Sequence, residues 1–187
     1  MRKTAHSQIL KLKKADLSFL SALGNSNLSE NTMALFDLDK SCDMNYPVSL
    51  CAAGFIIVQS GRIDLELDLK PYTLKEKSAI VGLPGQIGIV KYISDDFSAY
   101  CFACSEDYFN NLSYNVEHPV HLMLKIKDVP FIQLNDKEYE RLLTSYKFIK
   151  QKIKTTEKNI CQGQILKYAL ISLIYEYVGV LQKQEVV

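Results

Sequence analysis

The stretch GFIIVQSGRIDLELDL, residues 54–69, decides the fold class. Two runs rich in β-branched and apolar residues flank Ser60-Gly61, a dipeptide that suits a two-residue hairpin turn. Such a turn predicts a register: Gln59 opposite Arg62, Val58 opposite Ile63, Ile57 opposite Asp64 and Ile56 opposite Leu65. In the second run Ile63, Leu65, Leu67 and Leu69 alternate with Arg62, Asp64, Glu66 and Asp68, the period of a half-buried strand. Cross-strand partners share a face, so Gly54, Ile56 and Val58 are expected to point inward with the leucines. Phe55 and Ile57 then fall on the outer, charged face and need a cover from another segment.

Further strand-like runs follow at 72–74, 79–83, 87–93 and 97–104, with turns at Pro84-Gly85 and Ser94-Asp95-Asp96. Strands about ten residues apart, with no helix between them, predict an antiparallel sandwich or barrel over residues 32–104. Residues 1–31 form a polar, mixed N-terminal segment. Within it KKADLSFLSAL reads as a short amphipathic helix ended by Gly24, and 25–31 as a loop.

Residues 105–187 read as helical. Ser105 caps a helix over 106–112. Pro119 and Pro130 interrupt 113–134, which shows no clear period. Asn135-Asp136-Lys137-Glu138 has the form of a capping box with Asn at the cap. The helix it opens carries Tyr139, Leu142, Leu143, Tyr146, Ile149 and Ile153 on one stripe. A last helix is predicted over 159–181, where from Ile165 onward only Lys167, Ser172 and Glu176 are strongly polar. A helix apolar on nearly every side needs two covers. It falls short of the roughly 20 apolar residues of a membrane span, so no membrane partner is expected. Leu166, Leu170, Leu173 and Tyr177 are expected to pack on the barrel or the preceding helix. Tyr168, Ile171, Tyr175 and Val178 are expected to pack on a second copy, making a homodimer.

The bulk composition is that of one ordinary globular domain, 48% hydrophobic and 23% charged. A formal net charge of +1 gives no bulk drive toward nucleic acid or an anionic surface. The five cysteines, Cys42, Cys51, Cys101, Cys104 and Cys161, are irregularly spaced, and the first residues show no signal-peptide core. A cytoplasmic chain with reduced thiols is the expectation.

Motifs that carry chemistry are sparse. Cys101 and Cys104 lie three apart on a strand-like run and so point to opposite faces. No second pair completes a four-ligand metal site. His118, His121 and Glu117 also fall short of one. There is no G-x-S-x-G, and the glycines of Pro84-Gly85-Gln86-Ile87-Gly88 open a strand rather than a phosphate-holding helix. Lys147, Lys150, Lys152, Lys154 and Lys158 form a basic cluster that reads as a solvated helix face without the aromatic interleaving of a nucleic-acid binder. No catalytic residue, metal or cofactor is therefore expected. A small-molecule pocket remains, because eleven tyrosines and eight phenylalanines supply apolar bodies with some polar tips. On the run 97–104, Tyr100, Phe102 and Cys104 share one face and Ala99, Cys101 and Ala103 the other. The small face suits close packing and the aromatic face a barrel interior. The expected pocket is Ile56, Val58, Ile63, Leu65, Tyr92, Tyr100 and Phe102. A register slip of one residue would reverse every face.

Tyr46-Pro47 followed by GFIIVQSGRIDLELDLKPYTLKEKSAIVGLPGQIGIV resembles the N-terminal cupin-like domain of AraC-family transcription regulators, most nearly those of Bacteroides-type bacteria. The resemblance is carried by the turn Gly61, the alternating strand after it, Tyr72-x-Leu74 and Leu83-Pro84-Gly85. Downstream, YCFACSEDYFNNL and FIQLNDKEYERL fit the family's strand-to-helix junction and helical pair, so the likeness spans about 32–183. It implies an α+β fold, a cupin-like double-stranded β-helix followed by a C-terminal helical pair. It also implies a small-molecule effector in the barrel, dimerising helices, and a DNA-binding helix-turn-helix domain that these 187 residues lack. DNA is thus an expected partner only through that missing domain. Metal-binding cupins carry H-x-H and a later His on the barrel strands; GRIDLELDL has none. Two alternatives stay open: a metal-independent cupin-type enzyme, and an interaction module whose barrel is filled by its own side chains.

Overall fold

The computed structural model describes residues 12–29, 32–42, 45–114, 117–154 and 160–184, with the backbone alone at 25–29 and 113. His6, Lys158 and the predicted start of the last helix at 159 lie outside them. In chain order the elements are β1 (Lys13–Ala15), α1 (Leu17–Ser21), β2 (Asn25–Ser29), β3 (Met33–Asp39), β4 (Val48–Leu50), β5 (Ala52–Ser60), β6 (Arg62–Leu67), β7 (Lys70–Lys75), β8 (Ser78–Gly82), β9 (Ile87–Ile93), β10 (Ser98–Ser105), α2 (Glu106–Ser113), α3 (Pro119–Asp128), β11 (Phe131–Gln133), α4 (Asp136–Lys154) and α5 (Gln162–Gln184).

The strands form two sheets, ordered β1-β4-β9-β6-β7 and β11-β8-β5-β10-β3-β2. From β3 to β6 the chain changes sheet at every step, and from β7 to β10 it does so again. Between β3 and β10 only β6 and β7 follow one another within a sheet, joined by Asp68 and Leu69 at φ 50° and 67°, the left-handed pair that a tight hairpin turn requires. The antiparallel pairs β6–β7, β5–β8, β4–β9 and β3–β10 make the core one long hairpin coiled into a barrel. This is the expected cupin-like double-stranded β-helix, and with its helices the chain is α+β.

The hairpin expected at Ser60-Gly61 does not form. β5 pairs with β8 and β10, β6 with β7 and β9, and the predicted Val58–Ile63 register is absent. Gly61, at φ 71°, instead carries the chain from one sheet to the other. A Cβ there would lie 2.7 Å from the Phe97 Cα, so the turn admits no side chain. The cause is the patterning of the two strands. β6 alternates, and its charged residues face water. β5 is apolar on both faces, so it belongs in a sheet covered on both sides. Ala53, Phe55 and Ile57 lie under the helices, while Val58 and Ile56 face the barrel.

The N-terminal segment adds edges to both sheets. β1 lies parallel to β4, and β2 pairs with β3 where a loop was expected. The predicted helix over KKADLSFLSAL is therefore shorter: Asp16 caps α1, accepting from the Phe19 N–H at 2.9 Å. The unread stretch 113–134 holds α3 and β11, which pairs with β8.

Two helix starts follow the sequence. The Ser105 hydroxyl accepts from the Tyr108 N–H at 3.3 Å. At α4, the Glu138 N–H donates to Asn135 Oδ1 at 3.0 Å and the Asn135 N–H to Glu138 Oε2 at 3.1 Å, a complete capping box.

By length and composition α5 is apolar enough to cross a membrane; in this fold the buried part of its surface packs on the second sheet and its helices. Leu166, Leu170, Leu173 and Tyr177 are buried as expected, and the Tyr177 ring meets Phe55 edge-on at 5.5 Å. The expected dimer stripe divides. Tyr168 and Tyr175 are 63% and 43% exposed, but Ile171 and Val178 only 8% and 6%. Successive helical residues turn by 100°, which puts Ile171 and Val178 on the flank of Ile174. That flank meets Leu122, Met123 and Ile126 of α3. The Glu117 N–H, just before α3, donates to the Tyr175 hydroxyl at 2.9 Å. On the other flank Ser145 of α4 donates to Glu176. The helix layer thus covers Ile171 and Val178, half of the stripe that the sequence assigned to a second copy, and leaves Tyr168 and Tyr175 exposed.

Candidate functional site

The barrel interior is lined by alternate residues of facing strands. At the Gly61 end, Val58, Leu74 and Phe97 are buried and fill the space. At the opposite end it is hollow. Gly54 stands in register with Gly82, and Gly88 with Leu67. Ala52 and Ala103 are also on the wall. A Cβ added at Gly54 would meet only the Phe102 carbonyl oxygen, 4.0 Å away, and one at Gly88 only leucine methyl groups at 3.9–4.0 Å. Missing side chains thus leave a cavity of about 110 Å³. Ile56, Leu65 and Val90 are only half-buried although they line it. Leu20 and Leu23, in and just after α1, complete the wall together with Leu50.

The wall is almost wholly apolar. Its one charged residue, Glu66, pairs with Lys91 at 3.2 Å. The Cys42 and Cys101 side chains are the softest groups on it. Burial pushes the Cys101 thiol well above its ordinary range, so it stays protonated and is a poor nucleophile. A second hollow of about 60 Å³ lies behind the sheet, under α2, α3 and α5; Gly54, Phe55 and Phe102 border both.

Of the residues expected in the pocket, Ile56, Ile63 and Leu65 meet on the cavity wall. Val58 faces the same interior but lies at the packed end. Tyr92 is outside, 52% exposed, with the Arg62 guanidinium 5.8 Å above its ring. The reason is a bulge: Leu65 pairs with Val90 but Asp64 with Tyr92, so Lys91 is the extra residue. Two β9 residues against one partner reverse the alternation, and Tyr92 joins Asp64 on the outer face.

Tyr100 faces α4, its ring 5.0 Å from that of Tyr146. Phe102 belongs to the helix-side cluster and borders the cavity from there. The two faces of β10 are thus the reverse of the expectation. Ala99, Cys101 and Ala103 point into the barrel, where strands close around little volume, and the aromatic face meets the helices. Sequence reasoning passed over Gly82, Gly88, Leu20, Leu50 and Val90, and it placed Gly54 inward without seeing what the missing side chain leaves. The available signal was glycine at inward positions of otherwise bulky strands, which marks either a close approach or absent volume.

Cys101 and Cys104 do fall on opposite faces, one in the barrel and one under the helices. Among the described residues no group of three His, Cys, Asp or Glu side chains is placed to hold a metal ion. The lysine cluster is not uniformly solvated. Lys150 donates to both Asp37 carboxylate oxygens at 3.0 Å and lies 5.7 Å from the Tyr100 and Tyr146 rings.

No family model matches the chain, and no curated protein matches it. Among solved structures it is similar to the cupin domain of Schizosaccharomyces pombe Cnp3, at 11% identity over 50% of this chain and 72% of that one, with a TM-score of 0.37. It is also similar to an RmlC-like cupin protein of Methanocaldococcus jannaschii with a double-stranded β-helix fold, at 15% identity over 42% and 73%, TM-score 0.34. A third is the DMSP lyase DddQ of Ruegeria pomeroyi, at 10% over 43% and 45%, TM-score 0.35. Likenesses this distant add no argument about function, and the description of the chain as a cupin-like barrel with a helical layer rests on its own strand order.

Proposed function

We propose that this chain is the sensor half of a bacterial transcription regulator of AraC type. It holds a small-molecule effector in the barrel and pairs with a second copy, and it reaches DNA through a helix-turn-helix domain outside these residues. The observation that carries the reading is the hollow end of the barrel, where Gly54 and Gly88 leave space that a methyl group would enter without collision. A strand glycine costs stability relative to alanine, so a fold that needed only a filled barrel has no use for these positions. The barrel-then-helices order of the resemblance adds support. Binding fits better than catalysis, because the cavity wall brings no acid–base pair or nucleophile together among the described residues.

A thermal-shift screen with sugars, small carboxylic acids and small aromatics tests the sensor reading. At least one class is expected to raise the unfolding midpoint in a concentration-dependent way. If none does, the sensor reading falls. Pairing is tested by light scattering on the Tyr168→Arg/Tyr175→Arg double variant, which targets the exposed part of α5. A dimer weakened at least tenfold is the expected result, and a wild-type monomer at every concentration would sink the pairing half. Ile171→Glu is not a usable probe, since it places a charge in the helix layer and is expected to unfold the protein.

A further inference from the structure

We infer that the barrel takes a neutral, apolar molecule of about single-ring size, rather than a sugar or an organic acid. This rests on the sensor reading above and narrows it. The wall around the cavity is built from Ile56, Leu65, Val90, Leu50 and Leu20, with three glycines between. A sugar hydroxyl or a carboxylate placed there would lose its water and find no donor or acceptor, a loss that hydrophobic contact does not offset. Glu66 does not change this, because it alternates with Leu65 and Leu67 and its carboxylate pairs with Lys91 on the outer face of β6.

The size follows from the volume. A dry apolar cavity of about 150 Å³ holds one benzene ring, and this one measures about 110 Å³. On that scale this space is about three-quarters of a benzene site, so a single six-membered ring enters it with small side-chain shifts. Cys42 and Cys101 suit such a guest, because their polarizable sulfurs touch an aromatic or aliphatic surface without demanding a hydrogen bond.

The experiment titrates the purified chain with toluene, phenol, benzoate and glucose, following the methyl signals of Ile56, Leu65 and Val90 by NMR. Toluene is expected to bind and to show contacts with all three residues. Its affinity is expected to fall at least tenfold in Gly54→Leu, whose side chain occupies the hollow. Gly54→Ala, which removes only a methyl group's volume, guards against misfolding of the leucine variant and is expected to weaken toluene by a smaller factor. Benzoate or glucose binding at these methyl groups, ahead of toluene, would overturn the ligand class and leave the sensor reading standing. Silence from all four probes, together with unchanged methyl spectra in the earlier screen's compounds, would overturn both. Toluene binding that Gly54→Ala and Gly54→Leu leave unchanged would overturn the site.

Discussion

The two ends of the barrel interior are built by the same core strands, and they differ in the volume of the side chains that point inward. Near Gly61 the strands carry Val58, Leu74 and Phe97, all three buried. Near the β6–β7 tip they carry Gly54 and Gly88, where an added methyl group would meet nothing closer than 3.9 Å, and a cavity opens. Closing a sheet into a barrel fixes where inward side chains stand but not how large they are. The end that is filled supplies stability. The end that is hollow is free to serve binding.

Three substitutions put that division at risk. Phe97→Ala, at the packed end, is expected to cost about 3–5 kcal/mol, the usual price of removing a buried aromatic side chain. Urea unfolding measures it, and a loss under about 1 kcal/mol would mean that this end is no better packed than the other. Gly61→Ala is expected to cost roughly 1–3 kcal/mol, because it strains a left-handed turn and drives a methyl group against Phe97. Gly54→Ala, at the hollow end, is expected to have the opposite sign: about 0.5–1 kcal/mol of stabilisation, from a stiffer unfolded chain and a partly filled space. A clear destabilisation by Gly54→Ala would show that the space is needed for packing, and the contrast between the ends would collapse.

The sequence was most informative where one face of an element decides its place. The capping box at Asn135–Glu138, the Ser105 cap, the strands β5 to β10 and the inward Ile63, Leu65 and Leu67 of β6 stand as read, whereas Leu69, expected inward with them, is 87% exposed in the β6–β7 turn. It was least informative where two burial environments compete. β5 and β10 are apolar on both faces, and alternation cannot say which face meets the barrel and which the helices. The choice of Tyr100 over Cys101 for the interior failed for that reason. Tyr92 was displaced by a single bulge, a local event that leaves no mark on hydrophobic periodicity. α5 was read correctly as a helix needing cover on several sides. The cover of Ile171 and Val178 was misassigned because α3, behind His118-Pro119, has a left-handed residue at its cap and no side-chain cap bond to announce it.

The coiled hairpin also sets an order of assembly. Closing a loop costs entropy that rises with its length. Asp68 and Leu69 close β6 on β7 across two residues, whereas β3 meets β10 by joining Met33 to Cys104. Once the tip has formed, each outer pair closes over a short additional segment, so the barrel is expected to zip from Asp68 outward with β3 arriving among the last. Its arrival brings Phe36 and Leu38 to the wall. It also sets Asp37 on the other side of the sheet, in reach of Lys150 on α4. A chain still waiting for β3 therefore has an open-sided cavity and lacks the Asp37–Lys150 bridge to α4, and the binding site is expected to be completed by one of the slowest pairings to form.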